Sequence, residues 1–180
     1  TDDIPAGFKT LCTDNVKSTQ NIIPKKHFDT LLYTGNDSSD RNIEGLEFKP
    51  DMVWIKNRSQ TDWHHLVDSV RGANKAIFVN TTDGEDTDNS NGHVNYFTSG
   101  GFNVDAGAQG NTNENNENYV AWCWKAGGAA VSNSDGTITS SISVNQEAGF
   151  SIVSYTGNGT AGATVGLSLI HISEPTRLSV

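Results

Sequence analysis

The chain has 180 residues, only 34% of them hydrophobic, with 18 glycines and a formal net charge of −9. Such acidity repels phosphate backbones, so nucleic-acid partners are disfavoured. No apolar run approaches the roughly 20 residues of a membrane-spanning helix, and no membrane insertion is expected.

No window holds a 3.6-residue apolar period over three turns, so the reading is of strands and turns rather than helices. The first strand is expected at 28–34, where FDTLLYT alternates well enough for a half-buried strand. TGN then supplies a turn, and RNIEGLEFKPD carries the chain back. Residues 51–57, DMVWIKN, form the next strand, with Pro50 favouring an extended entry. HHLVDS at 64–69 reads as extended and KAIFVN at 75–80 as a strand. A polar loop, TTDGEDTDNSNG, fills 81–92. HVNYFT (93–98) and GFNVD (101–105) make a hairpin across SGG. A second polar loop, AGAQGNTNENNE, fills 106–117. NYVAWCWKA (118–126) is a long strand, and TITSSISVN (137–145) another after the SDG turn. About eight strands with turns at these intervals imply an all-β, antiparallel β-sandwich, jelly-roll-like in character. Both loops exceed the usual connection length.

The chain contains a repeat. FSIVSYTGN, from Phe150, aligns with FDTLLYTGN, from Phe28, at a constant offset of 122 residues: Tyr155 on Tyr33, Gly157 on Gly35, Asn158 on Asn36. The expected organisation is a module at 27–148 followed by an incomplete second copy at 149–166, a tandem repeat. Without its own core partners, the second copy should dock on the first module's edge or stay disordered. After Gly166 a segment like GLEFKPDMVWIKN should follow. LSLIHISEPTR stands there instead, and residues 167–177 resemble an in-frame translation of a transposon-based sequencing adaptor. Residues 167–180 are therefore read as an artefact of a metagenomic fragment, and His171 and Glu174 join no site. The chain opens at Thr1 and its one methionine is Met52, so the natural N-terminus is expected upstream.

Candidate chemistry is sparse. Cys12 and Cys123 lack metal-ligand spacing, so free thiols are expected. Trp122 and Trp124 share one face of their strand, with Cys123 opposite. Exposed, such rings would stack on sugars; because Val120 continues the same apolar face, the rings are expected to fill the sandwich core. The candidate ligand-binding set is Trp54, Trp63, Trp122, Trp124 and His65. In the loop at 83–92, Asp86, Asp88 and Ser90 alternate as in calcium loops, but Asn91 and Phe97 stand where an EF-hand needs Gly and Glu. A solvated loop is the reading, with no metal and no cofactor. In WHHLVDSVRG no nucleophile accompanies His64, His65 and Asp68, and Asp68 with Arg71 reads as an ion pair at a bend. No catalytic residues are assigned, and nothing points to a particular carboxylate pair for glycoside hydrolysis.

Together, LYTGN, GLEFKPDMVWIKNRS, HHLVDSVRG, YVAWCWKAGG and GFSIVSYTGNG resemble uncharacterised tandem repeat modules of bacteriophage tail-fibre-like virion proteins, over residues 27–166. PAGFKTLCTDNV is similar to the segment that follows a SPRY-like, concanavalin-type domain in such proteins. The resemblance implies that residues 1–26 are the exit of an upstream domain and a linker, which Pro24, Lys25 and Lys26 suit. It also implies a virion, extracellular setting, host attachment or spacing, and partners among host surface glycans and other virion subunits. A structural spacer and a polysaccharide depolymerase are the alternatives.

Overall fold

The computed structural model describes residues 22–168. Cys12, most of the expected linker and the tail beyond Ser168 lie outside the described residues. Eleven strands form three antiparallel sheets. The largest has the order β1 (Phe28–Thr34), β8 (Asn118–Trp124), β3 (Met52–Asn57), β4 (His65–Asp68), β5 (Gly72–Phe78). The second orders β2 (Arg41–Glu44), β7 (Gly101–Val104) and β6 (Val94–Phe97), and the third β11 (Phe150–Tyr155), β10 (Ser140–Asn145) and β9 (Val131–Asn133).

Alternation builds the sandwich. Val53 and Ile55 of β3, Ala121 and Cys123 of β8, and Val67 of β4 point inward and are fully buried. They meet Ile43, Phe102, Val104 and Val94 from the second sheet in one continuous core. The β1–β8, β2–β7 and β4–β5 pairings are those of a rolled long hairpin, which makes the first eight strands jelly-roll-like. The pairing of β3 with β8 also fits a jelly roll; the departure is that β4 pairs with β3 and β6 with β7, where a jelly roll sets β6 beside β3 and β4 beside β7.

Two strands were not expected. β2 lies in the segment read as a plain return, and β9 has only three residues. The third sheet also adds a layer to the expected two. β11 docks by pairing with β10 from Asn145↔Phe150 to Ser140↔Tyr155. The chain after it folds back on the β9–β10 connection, where the Ile138 N–H donates to the Thr164 carbonyl at 3.0 Å.

The core contains none of the tryptophans, against the sequence expectation. Trp54, Trp122 and Trp124 lie half-buried on the outer face of the large sheet. β8 is apolar on both faces, and the face carrying Tyr119, Ala121 and Cys123 took the core.

Candidate functional site

Strand register lines up Trp122, Trp54, Leu66 and Ile77 across the outer face. The Trp54 and Trp122 ring centroids are 5.0 Å apart, and His64 lies 6.2 Å from Trp54. β11 crosses this face obliquely. At one end Phe150 stacks on Trp124 at 6.3 Å. At the other, Ile152 to Tyr155 form a groove with Leu66 and Ile77. The Trp54 Nε1 is buried with no hydrogen-bond partner among the described residues. The half-buried Trp54 and Trp122 rings pack on each other on the outer face.

His65 points the other way. It is 1% exposed, packs on Phe78 with ring centroids 5.8 Å apart, and neither ring nitrogen has a hydrogen-bond partner. Burial lowers its pKa to about 3, helped by the nearby His93 and Arg71. The neutral, enclosed ring cannot share a surface ligand with the tryptophans. Its neighbour His64 is on the Trp54 side, its pKa lowered by desolvation and by Lys56.

Trp63 is the most accessible of the four tryptophans, at 37% exposure. It precedes β4, and the Val79 N–H donates to the His64 carbonyl, so the end of β5 lies beside it. Phe78 supports its ring at 4.8 Å. The loop leaving β5 turns back, pairing Asp86 with Ala76 through two 2.8 Å backbone hydrogen bonds. The result is an open groove of about 310 Å³ between Trp63 and the carboxylates of Asp83, Glu85, Asp86 and Asp88. The aromatic set and the acidic loop, separate in sequence, meet here. Arg71 and Lys75 hold Glu85. Asp88 caps a short turn by accepting from the Ser90 N–H at 2.9 Å, and hydrogen bonds from Ser90 lower its pKa. The alternating Asp86 and Asp88 thus shape the loop: Asp86 Oδ1 accepts from the Asp88 N–H at 2.8 Å.

Trp124 borders a second hollow of about 360 Å³ with Phe28, Pro24 and Phe150. Beyond His27 this continues into a polar groove of about 610 Å³ lined by Lys49, Asp51, Lys125 and Glu147. Phe28 and Phe150 occupy much of the Trp124 surface, at 5.1 and 6.3 Å.

One carboxylate group was missed in the sequence. Asp62, Glu114 and Glu117 place oxygens within 4.8 Å of one another, a spacing that could hold a cation. The Asn57 amide already sits among them. Its Nδ2 donates to Asp62 at 2.5 Å and to Glu117, while its Oδ1 is fixed by the Ser59 and Gln60 N–H groups. Desolvation, with Glu117, Asp62 and Asp37 nearby, raises the Glu114 pKa. The residues come from two loops far apart in sequence, so no local spacing could have announced them.

Residues 23–175 match the family described as Domain of unknown function (DUF7483). The chain belongs to that family. The matched span of this DUF7483 domain takes in all eleven strands and runs on into the tail at 167–175. No curated protein and no solved structure matches it.

Proposed function

We propose that this chain is a non-enzymatic module of a phage virion surface protein of the tail-fibre kind. It contacts host-cell glycans through the Trp63 groove. The observation that carries the binding reading is the accessible Trp63 ring, backed by Phe78 and facing the loop carboxylates. A sugar offers a C–H face to stack on indole and hydroxyl hydrogens to donate to carboxylates. Several negative charges in the groove repel uronic and sialic acids and favour neutral or amino-bearing glycans. The virion setting rests on the sequence resemblance and on the repeat. Arrayed modules multiply a weak site into useful avidity, and other virion subunits are the structural partners.

A glycan array probed with the intact chain, Trp63→Ala and Trp122→Ala tests this. Binding by the intact chain and by folded Trp122→Ala, lost in Trp63→Ala, is the expected pattern. Equal signals from all three would sink the groove assignment. A structural spacer is the second reading, favoured by the packing duty of Trp54, Trp122 and Trp124; absence of any array signal supports it. Release of reducing ends from host polysaccharide would overturn the non-enzymatic part and point to a depolymerase.

A further inference from the structure

The repeated motif is used in one copy and idle in the other. In the first, Tyr33 stacks on Tyr119 at 5.0 Å and its hydroxyl donates to the Thr112 carbonyl at 2.6 Å. The Gly35 N–H donates to the Glu117 carbonyl at 2.7 Å, and the Gly35 carbonyl accepts from the Asn116 N–H at 3.0 Å. A Cβ on Gly35 would lie 1.9 Å from the Glu114 carbonyl oxygen, so close approach of the 113–117 backbone demands glycine. Asn36 and Asn113 exchange hydrogen bonds at 3.1 and 3.3 Å.

In the second copy, a Cβ on Gly157 would meet nothing within 4 Å, and its φ is not in the left-handed region. Neither space nor backbone conformation asks for glycine there. Tyr155, the counterpart of Tyr33, is 57% exposed. Among the described residues Asn158 accepts only from the nearby Thr160 N–H. Val165, the counterpart of Ile43, is half-buried, whereas Ile43 is in the core.

The faces agree. Phe150 and Ile152, the counterparts of the outward-facing Phe28 and Thr30, point down onto this module, with Phe150 on Trp124. Val153 and Tyr155, the counterparts of the core-facing Leu31 and Tyr33, share the opposite face of β11, where Tyr155 is exposed while Val153 lies opposite the buried Ile142. Among the described residues β11 is moreover an edge strand with one side unpaired.

We infer that the free edge of β11, with the exposed Tyr155 beside it, is a docking surface for a second copy of this module, joined in tandem. That copy's segment 110–124 seats on Tyr155–Asn158 as this copy's own 110–124 segment seats on Tyr33–Asn36. β11 then serves two modules at once: it is the last strand of one sheet and the first strand of the next. The joint is a continuous β-sheet rather than a flexible linker. This rests on the tandem-module part of the proposed function and is independent of glycan binding.

The test replaces residues 167–180 with residues 45–148 of a second copy, so that β11 is the only first strand available to it. The second copy is expected to fold cooperatively. The Gly157 amide, freely exchanging in the original chain, is expected to gain hydrogen-exchange protection comparable to that of Gly35. Gly157→Ala is expected to abolish the second copy's unfolding transition in the joined chain and to leave the original chain's melting unchanged. A control carries residues 27–148 after a flexible linker, giving the second copy its own β1; there Gly157→Ala should have no effect. An unfolded second copy in the joined chain, or one indifferent to Gly157→Ala, overturns the inference. The Trp63 array result stands or falls separately, because none of these variants touches the groove.

Discussion

Arg71 Nε donates to Asp68 Oδ2 at 2.7 Å, while Asp68 Oδ1 accepts from the backbone N–H groups of Val70 and Arg71 at 3.0 and 2.8 Å. One buried carboxylate therefore ties the bulged β4–β5 turn with three donors, as the expected ion pair at the bend and more. Arg71 also reaches Glu85 at 3.2 Å, linking the turn to the loop that walls the Trp63 groove. Asp68→Ala leaves a guanidinium that is 14% exposed without this partner, together with two unsatisfied N–H groups. The expected cost is about 3 kcal/mol, read from the midpoint of urea unfolding. Glu85→Ala removes only outer contacts to Arg71 and Lys75 and should cost less than about 1 kcal/mol.

The buried His65 predicts an acid-sensitive fold. Its folded pKa of about 3 lies below the ordinary 6.5, so the unfolded chain binds the proton first. The stabilisation is complete above about pH 6.5 and is lost as pH falls from there towards 3. His93 is lowered by burial, with Asp105 and Asp86 pulling it partly back, and it acts in the same direction. The expected slope between pH 6 and 4.5 is up to about 1.4 kcal/mol per pH unit from His65, to which His93 adds in the same direction. Lowered carboxylates such as Asp88 act below about pH 4, outside that window. His65→Leu should flatten the slope in unfolding curves measured every half pH unit; an unchanged slope would assign it elsewhere.

What was legible in the sequence follows from what is local. The hairpin of β6 and β7 was readable because Ser99, Gly100 and Gly101 make a tight reversal between apolar runs. β1 was readable from alternation, and β8 from its long apolar, aromatic-rich run. β2 was not, because Ile43 alone carries its apolar signal between Asn42 and Glu44, and its burial depends on Phe102 across the sheet. β9 offers three residues, of which Val131 is exposed. From Tyr119 to Trp124 β8 is apolar at inward and outward positions alike, a run that marks a strand covered on both sides. That run could not say which face met the main core and which met β11. The Trp63 groove was hidden for a different reason: Trp63 and Asp83–Asp88 are brought together only by the pairing of β4 with β5. That pairing sets Phe78 opposite His65 and carries the acidic loop back past Trp63.

Cys123 supplies a reporter for the core. It is fully buried, and desolvation, with a contribution from Asp29, pushes its thiol pKa up to about 12. A thiol so placed is neither ionised nor reachable in the native state. In a Cys12→Ser background, iodoacetamide at pH 8 should leave Cys123 unmodified over hours in buffer. Modification should become fast across the same urea range in which the fold is lost. Fast labelling in buffer would mean that the β3–β8–β1 region opens locally.

Trp122 and Trp63 should separate stability from binding. Trp122 packs on Trp54 at 5.0 Å, so its removal strips that ring of its neighbour and leaves a gap beside it. Trp122→Ala should lower stability by about 2–3 kcal/mol, at the modest end for an aromatic deletion because the ring is only half-buried. Trp63 packs on Phe78 but keeps one side open, and Trp63→Ala should cost less than about 1 kcal/mol. Intrinsic fluorescence on sugar addition gives a second readout. A soluble neutral oligosaccharide should change emission in the intact chain and in Trp122→Ala, but not in Trp63→Ala. If the emission change survived in Trp63→Ala and vanished instead in Trp124→Ala, the ligand would lie in the hollow between Phe28 and Phe150. The loop carboxylates would then be left with a purely structural duty.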